Sequence, residues 1–406
     1  MKGKVDLDPL MEINMKLYDE LKWRGLIEDI SSPDIEKMLN EESITFYIGT
    51  DPTAKSLHIG HFSSFSVAKR LADYGHKPIL LVGGATGLIG DPKPDSERPM
   101  ITKEELEKNY KTLRKQVEDV FGFEVVNNYD WSKDINFIDY LRDYGKHFSV
   151  NYMLAKETVK SRLESGITYT EFSYMILQAL DFLWLYENKG CTLQIGGQDQ
   201  WGNITAGIEL ARRKAGAQLY AFTMPLILDS SGNKFGKSEG NAVWLDKEMT
   251  SPYEMYQFFI NQSDDVIIKY LKMLSFLSVD EIKSIEKNHN EKPNLRLAQK
   301  ALAKDIITFL HGEDEYEKAR ELSEKVFSNN DASLLKPIIV NSVTNILDVL
   351  FESKIAPSKS EARRLVTQGG IEVDGERILD PKYEINNEEV IIKRGKRNIY
   401  KIKIHK

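Results

Sequence analysis

From Ile44 to about Leu228, short apolar runs alternate with stretches whose apolar residues recur three and four apart. The runs Thr45–Ile48, Pro78–Val82, Glu124–Asn127, Thr192–Ile195 and Tyr220–Leu228 predict strands, with helices such as His58–Tyr74 and Lys103–Val120 between them. This alternation predicts an α/β fold with a Rossmann-like, doubly wound parallel sheet, whose ligands sit at the carboxyl ends of the strands. A further helix is expected over residues 8–24. From Ser251 to about Phe327 the strand signal vanishes and segments such as Leu295–Leu310 keep the helical spacing, so a helical domain follows. Asn329–Pro337 has the Asn, Asp, Ser and Pro content of a linker. The expected division is 1–248 for the sheet domain, 249–328 for the helical domain, 329–341 for the linker and 342–406 for a small α+β domain.

Bulk properties narrow the class. Among 406 residues, 41% are apolar and 29% charged, ordinary for a globular chain long enough for two or three cores. Apolar runs such as Ile79–Val82 are far too short to span a membrane. Asp6, Asp8 and Glu12 break the basic-then-apolar pattern of a secretory signal, and the single Cys191 excludes an intramolecular disulfide or a cysteine-rich metal site. A cytoplasmic location is expected. The net charge of −7 is uneven: from Pro357 onward twelve Lys/Arg face eight Asp/Glu, about +4, leaving about −11 for the rest.

The chemistry concentrates in loops that follow strands. Tyr47-Ile-Gly-Thr-Asp51-Pro-Thr53-Ala-Lys-Ser-Leu-His58-Ile-Gly60-His61 reads as strand, Gly/Pro loop, helix. Such a turn gathers backbone N–H groups and the positive end of a helix, which suits a phosphate-bearing ligand. Two familiar phosphate motifs fail on spacing. Gly84–Asp91 lacks the Gly-x-Gly of a dinucleotide fingerprint, and Gly232–Ser238 has three residues between its glycines where a P-loop needs four. The histidine pair has no neighbouring cysteine or carboxylate that would make it a metal site. Tyr174, Gln178 and Asp181, spaced four and seven, share one face of an otherwise apolar helix; buried there, they need partners such as an ammonium and a hydroxyl. Gln194-Ile-Gly196-Gly197-Gln198-Asp199-Gln200 ends a strand and opens a helix, where Rossmann-like sheets contact ribose and substrate.

Taken in order, these motifs resemble the tyrosyl-tRNA synthetases of bacterial type, within the class I aminoacyl-tRNA synthetases. The resemblance rests on His58–His61, Gly90–Pro92, the Tyr/Gln/Asp helix, the Gly-Gly-Gln-Asp-Gln-Trp turn and Lys-Phe-Gly-Lys-Ser at Lys234–Ser238, and it covers almost the whole chain. It implies a two-step reaction. The carboxylate of L-tyrosine attacks the α-phosphorus of ATP, which carries Mg2+, giving tyrosyl-adenylate and pyrophosphate; the 3′ ribose hydroxyl of tRNA(Tyr) then takes the tyrosyl group. The attacking carboxylate is already ionised, so positioning and charge stabilisation carry the catalysis.

By the same resemblance Thr53, His58 and His61 touch the ATP phosphates, and Lys234, Lys237 and Ser238 close over pyrophosphate on a mobile loop. Gly49, Asp51, Gly60, Gly197 and Asp199 match the remaining nucleotide-binding positions. Tyr47 and Asp181 match the readers of the phenolic hydroxyl; Asp91, Tyr174 and Gln178 the holders of the ammonium; Gln200 lies near the carboxylate. Phenylalanine would leave Tyr47 and Asp181 unpaired, and this family is the standing example of rejection on that ground without an editing step. No metal site of the protein's own is implied.

Pro357–Gly375 resembles the RNA-binding domain of ribosomal protein S-four: a helix over Ser358–Gln368 ends at glycine and leads to a strand and an Asp-Gly turn. Lys359, Arg363 and Arg364 would grip RNA backbone; Arg212 and Arg213 are candidates for the acceptor arm, and helices after Ser251 for the anticodon. A homodimer is implied. The stretch from Asp91 to Arg98 is one residue shorter than in relatives, which displaces Lys93 and weakens a phosphate role for it and for Arg98. Ile48 replaces a smaller polar residue of some relatives. Two alternatives stay open: a non-catalytic RNA-binding paralogue, against which the intact histidines and lysines count, and a tryptophan-specific relative.

Overall fold

The computed structural model describes residues 15–92, 100–230, 232, 235–238, 241–328, 335–341, 343–395 and 398–405. Lys93, Arg98 and Lys234 therefore lie outside the described residues, as do residues 8–14 of the expected first helix, of which Leu17–Trp23 is seen. Two compact units divide the chain. The first comprises Met1–Leu57, His61–Ile227 and Lys272–Asp280, the second His58–Gly60, Leu228–Leu271 and Glu281–Lys406.

In the first unit β1 (Thr45–Thr50), β2 (Lys77–Val82), β3 (Glu124–Asn127), β4 (Cys191–Gly197) and β5 (Tyr220–Met224) form one sheet in the order β3-β2-β1-β4-β5. All four pairings are parallel. The chain winds outward from β1 to β3, then returns to place β4 on the other side of β1, so the switch point lies between β1 and β4. Strands covered on both faces lose their polar alternation, and Ile79 to Val82 are buried without a break. The expected strand Tyr220–Leu228 stops at Met224. Its edge is closed by the segment around Ile30, which bridges to Phe222 and exchanges backbone hydrogen bonds with Thr223.

Two helices matter most for the site. Tyr169–Lys189 starts at Thr168, whose side chain accepts from the Glu171 N–H, and ends at Gly190 in the left-handed conformation. It is buried nearly all round, against Trp201–Ala215 on one side and the sheet on the other. Ile59–Asp73, which follows β1, begins inside the His-Ile-Gly-His signature.

The second unit holds Pro252–Ile260, Leu297–His311, Glu313–Ser328 and all of Asp264–Leu274 and Val279–Glu291 except their residues within Lys272–Asp280, in keeping with the expected loss of strands. Its C-terminal part is a five-stranded sheet, β8 (Ile338–Asn341), β9 (Ile371–Val373), β10 (Glu376–Ile378), β11 (Glu389–Arg394) and β12 (Asn398–His405), ordered β10-β9-β11-β12-β8. Here the reading of 329–341 as linker differs from the structure. Ile338 to Asn341 pair in parallel with Ile402 to His405, and Val340 is buried in the small core with Ile402 and Ile404. The signal was short: four residues, of which only Val340 is buried. The helix Lys359–Thr367, capped by Ser358, and the Asp374-Gly375 turn with both φ positive stand where expected.

Candidate active site

In the first unit the buried polar stripe gathers around the β1/β4 switch. Tyr47 is paired in register with Gln194 across these strands, and both are almost wholly inaccessible. The Tyr47 ring meets Phe182 edge-on at 5.2 Å. Its hydroxyl and the Gln194 Oε1 are buried without a hydrogen-bond partner in the structure. A buried polar atom left unpaired costs about 1–3 kcal/mol, so a ligand group that satisfied both would recover that cost.

Asp181 lies close enough to raise the Tyr47 phenol electrostatically, after burial itself, which pushes that phenol well above its ordinary value. Burial also drives the Asp181 carboxyl up to about 7; hydrogen bonds from Asn128 and Trp131 pull it down, and Asp51 adds to the rise. Those donors are specific: Asn128 Nδ2 donates to one carboxylate oxygen at 2.9 Å and Trp131 Nε1 to the other at 2.9 Å. Asn128 also donates to Thr86 Oγ1 at 3.1 Å, and Thr86 donates to Asp51 at 2.8 Å. Tyr174 donates to the other Asp51 oxygen at 3.2 Å. Gly83 is forced by this closeness, since a Cβ there would collide with Asp51 and Thr86.

A second cluster joins Asp91 to Gln200 at 2.9 Å and to Asn203 at 3.1 Å, with Asn203 bonded back to Gln200 at 3.2 Å. The structure thus couples Tyr174 to Asp51 and Asp91 to Gln200, whereas the resemblance grouped Tyr174 with Asp91. Gln178 is half-buried on the same helix, Gly49, Thr53 and Asp199 are exposed, and Gly197 is half-buried at the end of β4. His61 is half-buried in the first turn of its helix.

Five members of these networks were not picked out from sequence: Thr86, Asn128, Trp131, Gln194 as a side chain, and Asn203. Asn128 follows β3 directly, so the rule that ligands gather beyond the carboxyl ends of strands could have flagged it. Trp131 and Asn203 carried no comparable signal.

In the second unit His58 bridges to Trp244, with the two rings 6.0 Å apart, and the Ile59 N–H donates to Val243 O at 2.8 Å. His58 Nδ1 accepts from the Gly60 N–H at 3.1 Å, so the neutral ring carries its proton on Nε2 and presents a donor there. The Phe235-Gly236 turn packs on this segment. Gly236 has φ 76°, and a Cβ on it would strike the Ile59 side chain. Phe235 is buried between Phe258 and Tyr270, 5.2 and 4.5 Å away. Beyond it Lys237–Ser238 and Asn241–Ala242 form a two-stranded ribbon.

The basic groups are more neutralised than their sequence suggests. Lys359 pairs with Asp348 at 2.6 Å and Arg364 with Glu361 at 2.7 Å, while Arg363 is exposed. In the first unit Arg212 and Arg213 both hold Glu209, at 2.8 and 2.5 Å, and their hydrogen bonds keep its carboxyl down near about 2. A groove of about 760 Å³ within the second unit is lined by Lys247, Tyr253, Asn261, Tyr400 and Lys401 among others.

Comparison with known proteins agrees with this arrangement. The model of class I tRNA synthetases (W and Y) matches residues 39–328, and that of the tyrosine–tRNA ligase SYY-like C-terminal domain matches residues 335–402. A C-terminally truncated mitochondrial tyrosyl-tRNA synthetase of Aspergillus nidulans superposes with a TM-score of 0.69 at 31% identity, over 77% of this chain and 94% of that one. The corresponding enzyme of Coccidioides posadasii gives 0.67 at 29%, over 76% and 91%. A tyrosyl-tRNA synthetase of Archaeoglobus fulgidus complexed with L-tyrosine shares the fold, at 16% identity and 0.56, over 75% and 99%.

Proposed function

Since the chain belongs to the class I tyrosyl-tRNA synthetase family, we propose how its own residues divide that family's work. The activity is tyrosine–tRNA ligation: L-tyrosine and ATP give tyrosyl-adenylate and pyrophosphate, and the tyrosyl group passes to the 3′ end of tRNA. The tryptophan-specific alternative has no support from the C-terminal match, which is to a tyrosine–tRNA ligase domain.

Our reading is that the substrate phenol sits against Tyr47 and Asp181. One observation carries it: the Tyr47 hydroxyl is buried and unpaired beside a carboxylate whose two oxygens are already oriented by Asn128 and Trp131. A phenol supplies one donor and one acceptor, which suits that pair; phenylalanine supplies neither. Asp91, Tyr174, Gln178 and Gln200 are assigned to the ammonium and carboxylate, and Asp51, Gly49, Gly197 and Asp199 to the nucleotide. Thr53, His58, His61, Lys234, Lys237 and Ser238 are assigned to the phosphates, where charge grows as the α-phosphorus is attacked. Gly60 lets the chain pass close to Phe235, an approach a side chain there would obstruct. Magnesium enters as part of the ATP substrate.

For RNA we assign Lys359, Arg363 and Arg364 to the body of tRNA(Tyr), Arg212 and Arg213 to its acceptor arm, and the Tyr253/Tyr400 groove to the anticodon arm. Aromatic rings beside lysines are what unstacked bases and phosphates require. A homodimer belongs to the same proposal, supported by Phe137, Ile138, Val150, Leu163 and Tyr169, apolar side chains 48–68% exposed within one stretch of the first unit. The bacterial type rests on the motif set, and a cytoplasmic location on the single, reduced Cys191.

ATP–pyrophosphate exchange with tyrosine, phenylalanine and tryptophan tests the centre of this reading. Exchange with tyrosine alone is expected. Exchange with none of the three would turn the chain into the RNA-binding paralogue, and exchange best with tryptophan would reassign the pocket.

A further inference from the structure

The polar stripe on the Tyr169–Lys189 helix has a fourth member. Glu171 precedes Tyr174 by three residues, so Glu171, Tyr174, Gln178 and Asp181 follow one another on a single face. Glu171 is 2% exposed and meets the guanidinium of Arg162, itself 6% exposed, through two parallel bonds of 3.2 and 3.1 Å. Arg162 is fixed in turn. Its Nε and Nη2 donate to Gly166 O at 3.2 and 3.0 Å, and the Gly166 N–H returns to Arg162 O at 2.8 Å.

Helix initiation explains only part of this pair: the Thr168 hydroxyl also lies 3.5 Å from Glu171 Oε2, whereas the Arg162 guanidinium is held by Gly166 O. Thr168 already caps the helix, and the Glu171 backbone N–H is the group it caps. A buried ion pair is weak evidence for stability, because apolar residues of similar volume often serve a fold as well; what it supplies is a fixed geometry. The geometry fixed here is that of the turn from which Tyr174 reaches Asp51.

We propose that Arg162 is a positioning residue for the amino-acid substrate, acting through Glu171 on the placement of Tyr174. This rests on the assignment of Tyr174 to the substrate ammonium. Lysine at 162 keeps the charge and loses the fork, so it is not a conservative replacement.

The test is steady-state ATP–pyrophosphate exchange on the full chain. R162K is expected to raise the KM for tyrosine about tenfold, a loss typical of a displaced binding group, with kcat and the KM for ATP within about twofold. The paired replacement R162M/E171L, which leaves no lone buried charge, is expected to fold with a Tm near wild type and show the same rise. In a Y174F background, R162K is expected to add less than about twofold, because the residue through which it acts has lost its hydroxyl. An unchanged tyrosine KM in R162M/E171L overturns the proposal. So does full additivity with Y174F, or a parallel fall in every parameter together with Tm. If wild-type exchange is tyrosine-dependent but Y174F is silent on tyrosine KM, it is the ammonium assignment that has failed, and the proposal falls with it.

Discussion

The proposed tyrosine pocket and the proposed RNA-binding module would recognise their ligands by opposite means. Around Tyr47 and Asp181 polar atoms are few, buried and held from behind: Asn128 and Trp131 fix Asp181, Thr86 and Tyr174 fix Asp51. Around Lys359, Arg363 and Arg364 the groups are exposed, and two of the three cations already hold carboxylates. A buried, unpaired atom discriminates steeply because a wrong ligand leaves it unsatisfied. An exposed cation adds a modest, salt-screened increment and must act in numbers. On this assignment few groups would suffice for a small substrate, while a whole module would serve the tRNA.

The bluntest way to break this comparison is to remove the module. Deleting residues 335–406 is expected to leave ATP–pyrophosphate exchange within about twofold and to reduce tyrosylation of tRNA by about 1000-fold or more, since several phosphate contacts go together. The cut falls at 335, ahead of the expected domain start at 342, because Ile338–Asn341 is a strand of the module's own sheet. Equal loss of both reactions would show that the two regions do not divide the labour.

Next in size is Asp181→Ala. The ratio of kcat/KM for tyrosine over phenylalanine should fall about 100-fold, the worth of a hydrogen bond to a buried charged group. A retained ratio would move the reading of the hydroxyl elsewhere. The same carboxyl sharpens the picture through pH. With its value raised to about 7, it ionises as pH rises through neutrality, and only the ionised form accepts freely at both oxygens. The KM for tyrosine should therefore drop a few-fold between about pH 6 and pH 8, and Asp181→Asn should flatten that slope.

At the module, Arg363→Ala should weaken tRNA binding only about fivefold at moderate salt and lower the slope of log affinity against log salt by about one. A loss as steep as that at Asp181 would contradict the contrast drawn above.

The smallest effect is expected at His76, a structural histidine remote in role from either site. Its Nδ1 accepts from Ile44 N at 3.4 Å and its Nε2 donates to Leu39 O at 3.1 Å, an arrangement open only to the neutral ring. Burial lowers its affinity for a proton below the ordinary 6.5. The unfolded chain then protonates first as pH falls, so the stabilisation is complete above about 6.5 and is lost on acidification. His76→Gln should remove less than about 1 kcal/mol of acid sensitivity in thermal unfolding between about pH 7 and pH 5.

The order of motifs, the helix–strand alternation and the chemistry of each side chain were legible in the sequence, because hydrophobic period and turn residues act locally. Thr45–Thr50, Glu124–Asn127 and Lys103–Phe121 fall where the pattern placed them. So does the helix after Ser358, whose cap is written in adjacent residues. Partnership was not legible. That Asn128 and Trp131 would hold Asp181 across about fifty residues, that Tyr174 would turn to Asp51, that Arg162 would meet Glu171 in the interior, and that four residues of an apparent linker would pair with β12 are decided by which strands lie side by side. A sequence lists donors and acceptors. Burial decides which of them must find one another, because water can no longer satisfy those left alone.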